Sequence, residues 1–121
     1  MCRYKVSLIV PVYGVERYIR QFAESALSQT YDDVQFVFVN DGTKDRSMEI
    51  LDALIEEKFS HLKDKIVIVN KENGGLPSAR KAGLDVAEGE YVLFADSDDW
   101  LETDALAKVM AKAVETGADI V

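Results

Sequence analysis

Cysteine occurs once in the 121 residues, at Cys2, so no intrachain disulfide can form and nothing requires an oxidising compartment. Histidine also occurs once. His61 sits in the polar stretch Ser60 to Asp64 without partners at metal-ligand spacing, which reads as a solvated loop position. Basic residues are outnumbered by acidic ones, 14 to 22, for a net charge of −8. Such a field repels phosphate backbones, which excludes nucleic acid as a diffuse electrostatic partner and means that any anionic ligand must be held locally. Long apolar runs are absent too. The longest near the start, Val6 to Val15, contains Ser7, Pro11, Tyr13 and Gly14 and is too short to span a bilayer or to read as a cleaved signal. No membrane segment is expected in this chain, and a cytoplasmic setting fits, membrane association being left to a longer form.

What is present is enough apolar material, 48% of residues, for one ordinary core, so residues 1–121 are expected to form a single domain. Four short β-branched runs alternate with segments of helical period, the pattern of a parallel sheet built from β-α-β units. The strands are expected at Val6 to Val12, Val34 to Asn40, Lys65 to Asn70 and Tyr91 to Ala95, all read as buried on both faces. Val15, Tyr18, Ile19, Phe22 and Leu27 stripe a first helix, and Met48, Leu51, Leu54, Ile55 and Phe59 a second, each expected to pack inward. A third helix runs from about Pro77 to Ala87, with its proline in the first turn. A fourth starts at Thr103 as N-cap, carries Leu106, Val109, Met110 and Ala113 on one face and stops at Gly117. Asp119-Ile120-Val121 reads as the start of a fifth strand. Six of the seven glycines fall at element ends; Gly83 lies inside the third helix, where close approach of a strand is the simplest account. Right-handed crossovers would bring the C-terminal ends of all strands to one edge, gathering Tyr13, Asp41 and the residues after Ala95.

Four constellations lie at that edge. Asp96-Ser97-Asp98-Asp99-Trp100 puts three carboxylates within four residues, a charge density suited to a hard divalent cation that would in turn hold a diphosphate; the plainer alternative is a solvated loop with one helix cap. Trp100 and Leu101 would pack that loop against the core. In Asn40-Asp41-Gly42-Thr43-Lys44-Asp45-Arg46-Ser47, Asp41 could accept from a base N–H or a sugar hydroxyl, while Thr43 or Asp45 caps the helix. In Pro11-Val12-Tyr13-Gly14 the phenol of Tyr13 could stack on a planar base or pack in the core. Asn73-Gly74-Gly75-Leu76-Pro77-Ser78-Ala79-Arg80 is a glycine-rich turn at a helix start, with Arg80 one turn in as a phosphate-facing cation, and matches neither the P-loop nor the G-x-G-x-x-G spacing.

Taken in order, V-S-L-I-V-P-V-Y-G, F-V-N-D-G-T-K-D-R-S, N-G-G-L-P-S-A-R and F-A-D-S-D-D-W closely resemble the family 2 glycosyltransferases, over Lys5 to about Val114. The resemblance implies the GT-A fold, a Rossmann-like, mostly parallel α/β sheet with helices on both faces, here truncated after four to five strands. It implies a nucleotide-diphosphate sugar as donor, most often a UDP-sugar, transferred with inversion to a glycan or lipid-linked acceptor. Pro11, Val12 and Tyr13 would border the base, Asp41 would hydrogen-bond it and Arg80 would lie near the diphosphate. Asp96 and Asp98 look like the D-x-D motif, Asp96 and Ser97 facing the donor sugar nucleotide and Asp98 ligating Mn²⁺ or Mg²⁺ together with Asp96. Gly14 and Lys81 depart from the commonest pattern, in which asparagine is frequent at both positions. The family's catalytic base lies in a second half, so it is expected beyond Val121.

Three rivals share parts of this pattern. A receiver domain has similar size, acidity and alternation, but its acidic pair after the first strand and its phosphate-accepting Asp after the third are replaced by Pro11-Val12-Tyr13 and Val69-Asn70-Lys71. A sugar nucleotidyltransferase would carry a glycine- and arginine-rich loop after the first strand, which Val12 to Arg20 lacks. A non-catalytic nucleotide-binding module is the third. Apolar surface beside the fourth strand and open strand edges also lead us to expect self-association into a homo-oligomer.

Overall fold

The computed structural model describes residues 4–29, 33–95 and 105–116. Its elements run β1 (Tyr4–Val12), α1 (Ile19–Leu27), β2 (Val34–Asp41), α2 (Ser47–Lys58), a 3-10 helix (Ser60–Lys65), β3 (Ile66–Lys71), α3 (Leu76–Val86), β4 (Gly89–Phe94) and α4 (Ala105–Thr116). Every strand pairing is parallel, in the order β3-β2-β1-β4. The chain steps outward from β1 to β2 to β3, then crosses back to lay β4 on the other side of β1. This is the start of the doubly wound nucleotide-binding order, not the 2-1-3 order of receiver domains.

The period of two along the strands sorts side chains between two layers. Val6, Leu8, Val10 and Val12 of β1, with Phe36 and Phe38 of β2, face the larger core, where they meet Phe22 of α1, Leu51 and Leu54 of α2, and Leu106 and Met110 of α4. Each such buried side chain contributes roughly 1.5–3 kcal/mol relative to exposure. Ile9, Val37 and Val39 face the opposite layer, covered by α3 through Ala79 and Ala82. Gly83 lets α3 sit this close: a Cβ there would stand 2.4 Å from Cγ2 of Ile9, the strand approach its position implied.

Several expectations need correction. Only β1 and β2 are buried over most of their length, apart from Lys5, Pro11 and Asn40; β3 and β4 are the edges of the described sheet and are largely half-buried, because α3 packs mainly on β1 and β2. Tyr18 does not pack inward. It is 48% exposed and stands just before α1, whose buried side is made by Ile19, Phe22, Ala23, Ala26 and Leu27. Val15 and Met48 pack only against the core's margin. His61 is exposed on the 3-10 helix, not in a loop. Thr103, Gly117 and the run Asp119 to Val121 lie outside the described residues. Leu76, Leu84 and Val86 on α3, with Tyr13 and Tyr18, are exposed large apolar side chains. Among the described residues, no helix is long and apolar enough to cross a membrane.

Candidate functional site

The reversal of strand order puts a topological switch point between β1 and β4, the place where ligands generally bind in open α/β sheets. Pro11 is half-buried at the end of β1, and Val12 is completely buried in the core. Tyr13 is 54% exposed, which decides against core packing and leaves its ring presented at the edge. On the β4 side the ladder continues through the Ala95 N–H, which donates to the Ile9 carbonyl at 3.0 Å. The sequence Asp96-Ser97-Asp98 follows directly; Asp96, Ser97, Asp98 and the packing expected of Trp100 and Leu101 lie outside the described residues. Arg80, exposed on α3, holds its guanidinium over the Phe94 ring at 5.4 Å, beside the same strand end.

Asp41 closes β2 and is only 3% exposed. Its Oδ1 accepts from Lys71 Nζ at 2.8 Å and from the Gly74 N–H at 3.0 Å; its Oδ2 accepts from the Gly75 N–H at 3.1 Å and from Asn73 Nδ2 at 3.3 Å. Burial pushes this carboxyl up, but the Lys71 ammonium and the two backbone N–H groups together outweigh it and hold the group below its ordinary range. The carboxylate therefore orders the whole turn between β3 and α3. Gly42 makes room for that turn, since a Cβ there would stand 2.6 Å from the Asn73 backbone nitrogen, at a φ of +68°.

Asp45 is the second anionic hub. It accepts from the Ser47 N–H at the first residue of α2, but the N-cap position is Arg46, without a side-chain capping bond, so neither Thr43 nor Asp45 is the cap expected of them; Thr43 turns toward the loop after β1 and accepts from the Gly14 N–H. Burial raises the Asp45 carboxyl, yet donation from the hydroxyls of Ser47 and Thr43 and the N–H groups of Ser47 and Glu16 lowers it to about 2.

The structure thus brings Tyr13, Asp41 and Arg80 to the C-terminal side of the sheet. Sequence reasoning missed Lys71 as the partner of Asp41 and Ser47 as a partner of the β1–α1 loop. The sequence carried no local signal for the first, because only the parallel register sets Asp41 opposite Lys71. Among the described residues, no group of three or more His, Cys, Asp or Glu side chains could hold a metal ion.

Comparison with known proteins places these features in a family. The sequence model described as Glycosyl transferase family 2 matches residues 7–121. The glycosyltransferase GlyA of Streptococcus pneumoniae is 44% identical over 116 residues, which are 96% of this chain and 16% of that protein. The structure of Staphylococcus aureus TarS 1-349 in complex with UDP-GlcNAc aligns with a TM-score of 0.73 at 31% identity, over 92% of this chain and 31% of that one. The mannosyltransferase PcManGT of Pyrobaculum calidifontis, in complex with GDP-Man and Mn²⁺, aligns with a TM-score of 0.72 at 25% identity, over 81% of this chain and 28% of its own. The chain thus spans less than a third of the length of each of these relatives.

Proposed function

Because the chain belongs to the family 2 glycosyltransferases, we propose that it forms the donor-binding part of an enzyme that moves a sugar from a nucleoside diphosphate to a glycan or lipid-linked acceptor, with inversion. The observation that carries this reading is the switch point, where an exposed aromatic ring, a guanidinium and an acidic sequence run attach to neighbouring strand ends. The UDP-GlcNAc and GDP-Man complexes of the two structural relatives support the ligand class.

In this reading Tyr13 stacks on the base, with Pro11 beside it and Val12 anchoring the strand end in the core, and Arg80 faces the diphosphate. Asp41 hydrogen-bonds the base by exchanging one of its present donors; the Lys71 ammonium, on a flexible stem and 21% exposed, is the one that can leave without dismantling the turn. Asp96, Ser97 and Asp98 complete the donor site. Two carboxylates are the hard oxygen donors that Mn²⁺ or Mg²⁺ takes, and Asp96 and Asp98 would hold it, the likeness to the Mn²⁺-bound mannosyltransferase supporting the assignment. When bound, the ion would offset diphosphate charge, including the charge that grows on the departing nucleotide. A chain of net charge −8 needs such a local cation beside Arg80 to retain an anionic donor.

Calorimetric titration with UDP, GDP and dTDP, with and without Mn²⁺, tests this directly. We expect metal-dependent binding of one diphosphate, lost in Asp98→Asn and weakened about tenfold in Arg80→Ala, as for loss of one charge-assisted contact. Absence of binding to all three overturns it. Hydrolysis of the donor sugar that requires Mn²⁺ and Asp98 would separate an enzyme from a non-catalytic nucleotide-binding module.

A further inference from the structure

Three consecutive backbone N–H groups in the turn after β1 all donate to side chains of the loop after β2 and the first residue of α2. Gly14 donates to Thr43 Oγ1 at 2.9 Å, Val15 to Ser47 Oγ at 3.0 Å and Glu16 to Asp45 Oδ2 at 3.2 Å. The acceptors are themselves one unit. The Thr43 and Ser47 hydroxyls donate to Asp45 Oδ1 at 2.7 and 2.6 Å, and the Ser47 N–H reaches the same oxygen at 3.0 Å. A hydroxyl has one proton to give, so once it donates to a carboxylate it presents only lone pairs to a third group. Asp45 thereby makes both hydroxyls acceptors for the neighbouring backbone. One carboxylate, directly or at one remove, fixes the partners of all three N–H groups.

Tyr13 immediately precedes this clamped backbone, and Gly14 bends it at a φ of +64°. An exposed aromatic side chain can offer a preformed surface only if the backbone carrying it is held, since otherwise its ordering costs affinity on binding. We propose that Asp45 is a positioning residue, which clamps the Gly14–Glu16 backbone so that Tyr13 stands as a preformed wall of the nucleotide site, and so sets nucleotide affinity without touching the nucleotide. The inference rests on the donor site proposed above and adds a residue outside it.

The two oxygens of Asp45 allow a selective test. Oδ1 takes the bonds from its own loop, whereas Oδ2 takes the bond from Glu16. Asp45→Asn can keep an oxygen at the first position while setting an NH₂ against the Glu16 N–H, so the loop's own bonds survive and the direct tie of Asp45 to Glu16 becomes a clash of donors that pushes the Gly14–Glu16 backbone away. Titration of the chain with UDP or GDP and Mn²⁺ should show Asp45→Asn binding about tenfold more weakly than wild type, with an unchanged circular dichroism spectrum. In a Tyr13→Ala background the same substitution should cost nothing further, because the two act through one interaction. Full wild-type affinity in a folded Asp45→Asn, or losses that simply add, would overturn the inference while leaving the donor site standing. Failure of the wild type to bind either nucleotide overturns both. If Asp45→Asn does not fold, Thr43→Val, which removes the acceptor of the Gly14 N–H and one donor to Asp45, is put through the same cycle and read by the same criteria.

Discussion

Both ends of the sheet are closed by polar knots joining elements distant in sequence, and the two ends use different chemistry. At the N-terminal end the knot is neutral. Ser7 Oγ donates to Gln35 Oε1 at 2.6 Å, the Glu88 N–H reaches the same oxygen at 2.8 Å, and the Gly89 N–H donates to Ser7 Oγ at 2.9 Å. Ser7 is completely buried and Gln35 is 1% exposed, so β1, β2 and the turn into β4 are joined in a dry environment without an ion. At the C-terminal end the knots are anionic, centred on Asp41 and Asp45, and the loops they order carry exposed side chains such as Tyr13. A neutral amide costs less to bury than a carboxylate, which suffices where the task is only to close the fold. A carboxylate accepts four or more bonds at once, which suits an edge where several loops must be fixed around a ligand.

The largest expected effect comes from breaking the anionic side at its most buried point. Asp41→Ala leaves the N–H groups of Gly74 and Gly75 without their acceptor and the Lys71 ammonium without its carboxylate, and should cost about 3 kcal/mol in denaturant unfolding together with nucleotide binding. Gln35→Ala strikes the neutral side. It strands the Ser7 hydroxyl and the Glu88 N–H and should cost about 2 kcal/mol, yet leave the nucleotide affinity of the folded protein unchanged, since it lies at the opposite end of the strands. An equal loss of affinity in both variants would erase the distinction between the two ends.

Acid separates the knots with the smallest effect. Asp45 has a carboxyl lowered from 3.8 to about 2, so its contribution is fully present above 3.8 and is lost as pH falls through about 2. Asp41 is shifted in the same direction. Between about pH 4 and pH 2 the wild type should lose on the order of 1 kcal/mol that Asp45→Asn, lacking the titrating group, does not lose. The penalty of Gln35→Ala should be the same at both ends of this range, as neither of its buried partners titrates. Thermal melts across the range check both statements.

Much of this was legible in the residues themselves. The strand runs and the helical stripes of Phe22 and Leu51 follow from periodicity alone, because burial repeats every two or 3.6 residues whatever the partner. Gly83 was legible as a close approach because a helix interior has no other use for glycine. Tyr18 was misread because a helical stripe does not tell where the first turn begins. The edge strands were misread because both their faces are apolar, while the extent of cover depends on where α3 sits, which is mainly over β1 and β2.

The family's motifs, the alternation of elements and the charge that demands a local cation are properties of the sequence by itself, since each is carried by residues adjacent in the chain. Only the tertiary structure decided that Asp41 is already engaged by four donors, that Thr43 faces Gly14 and not its own helix, and that Asp45 governs a loop 29 residues away from it. Hydrogen-bond partners are chosen by distance and direction in space. The parallel register that brings these loops together at one edge is set by packing of the whole sheet, which no local pattern encodes.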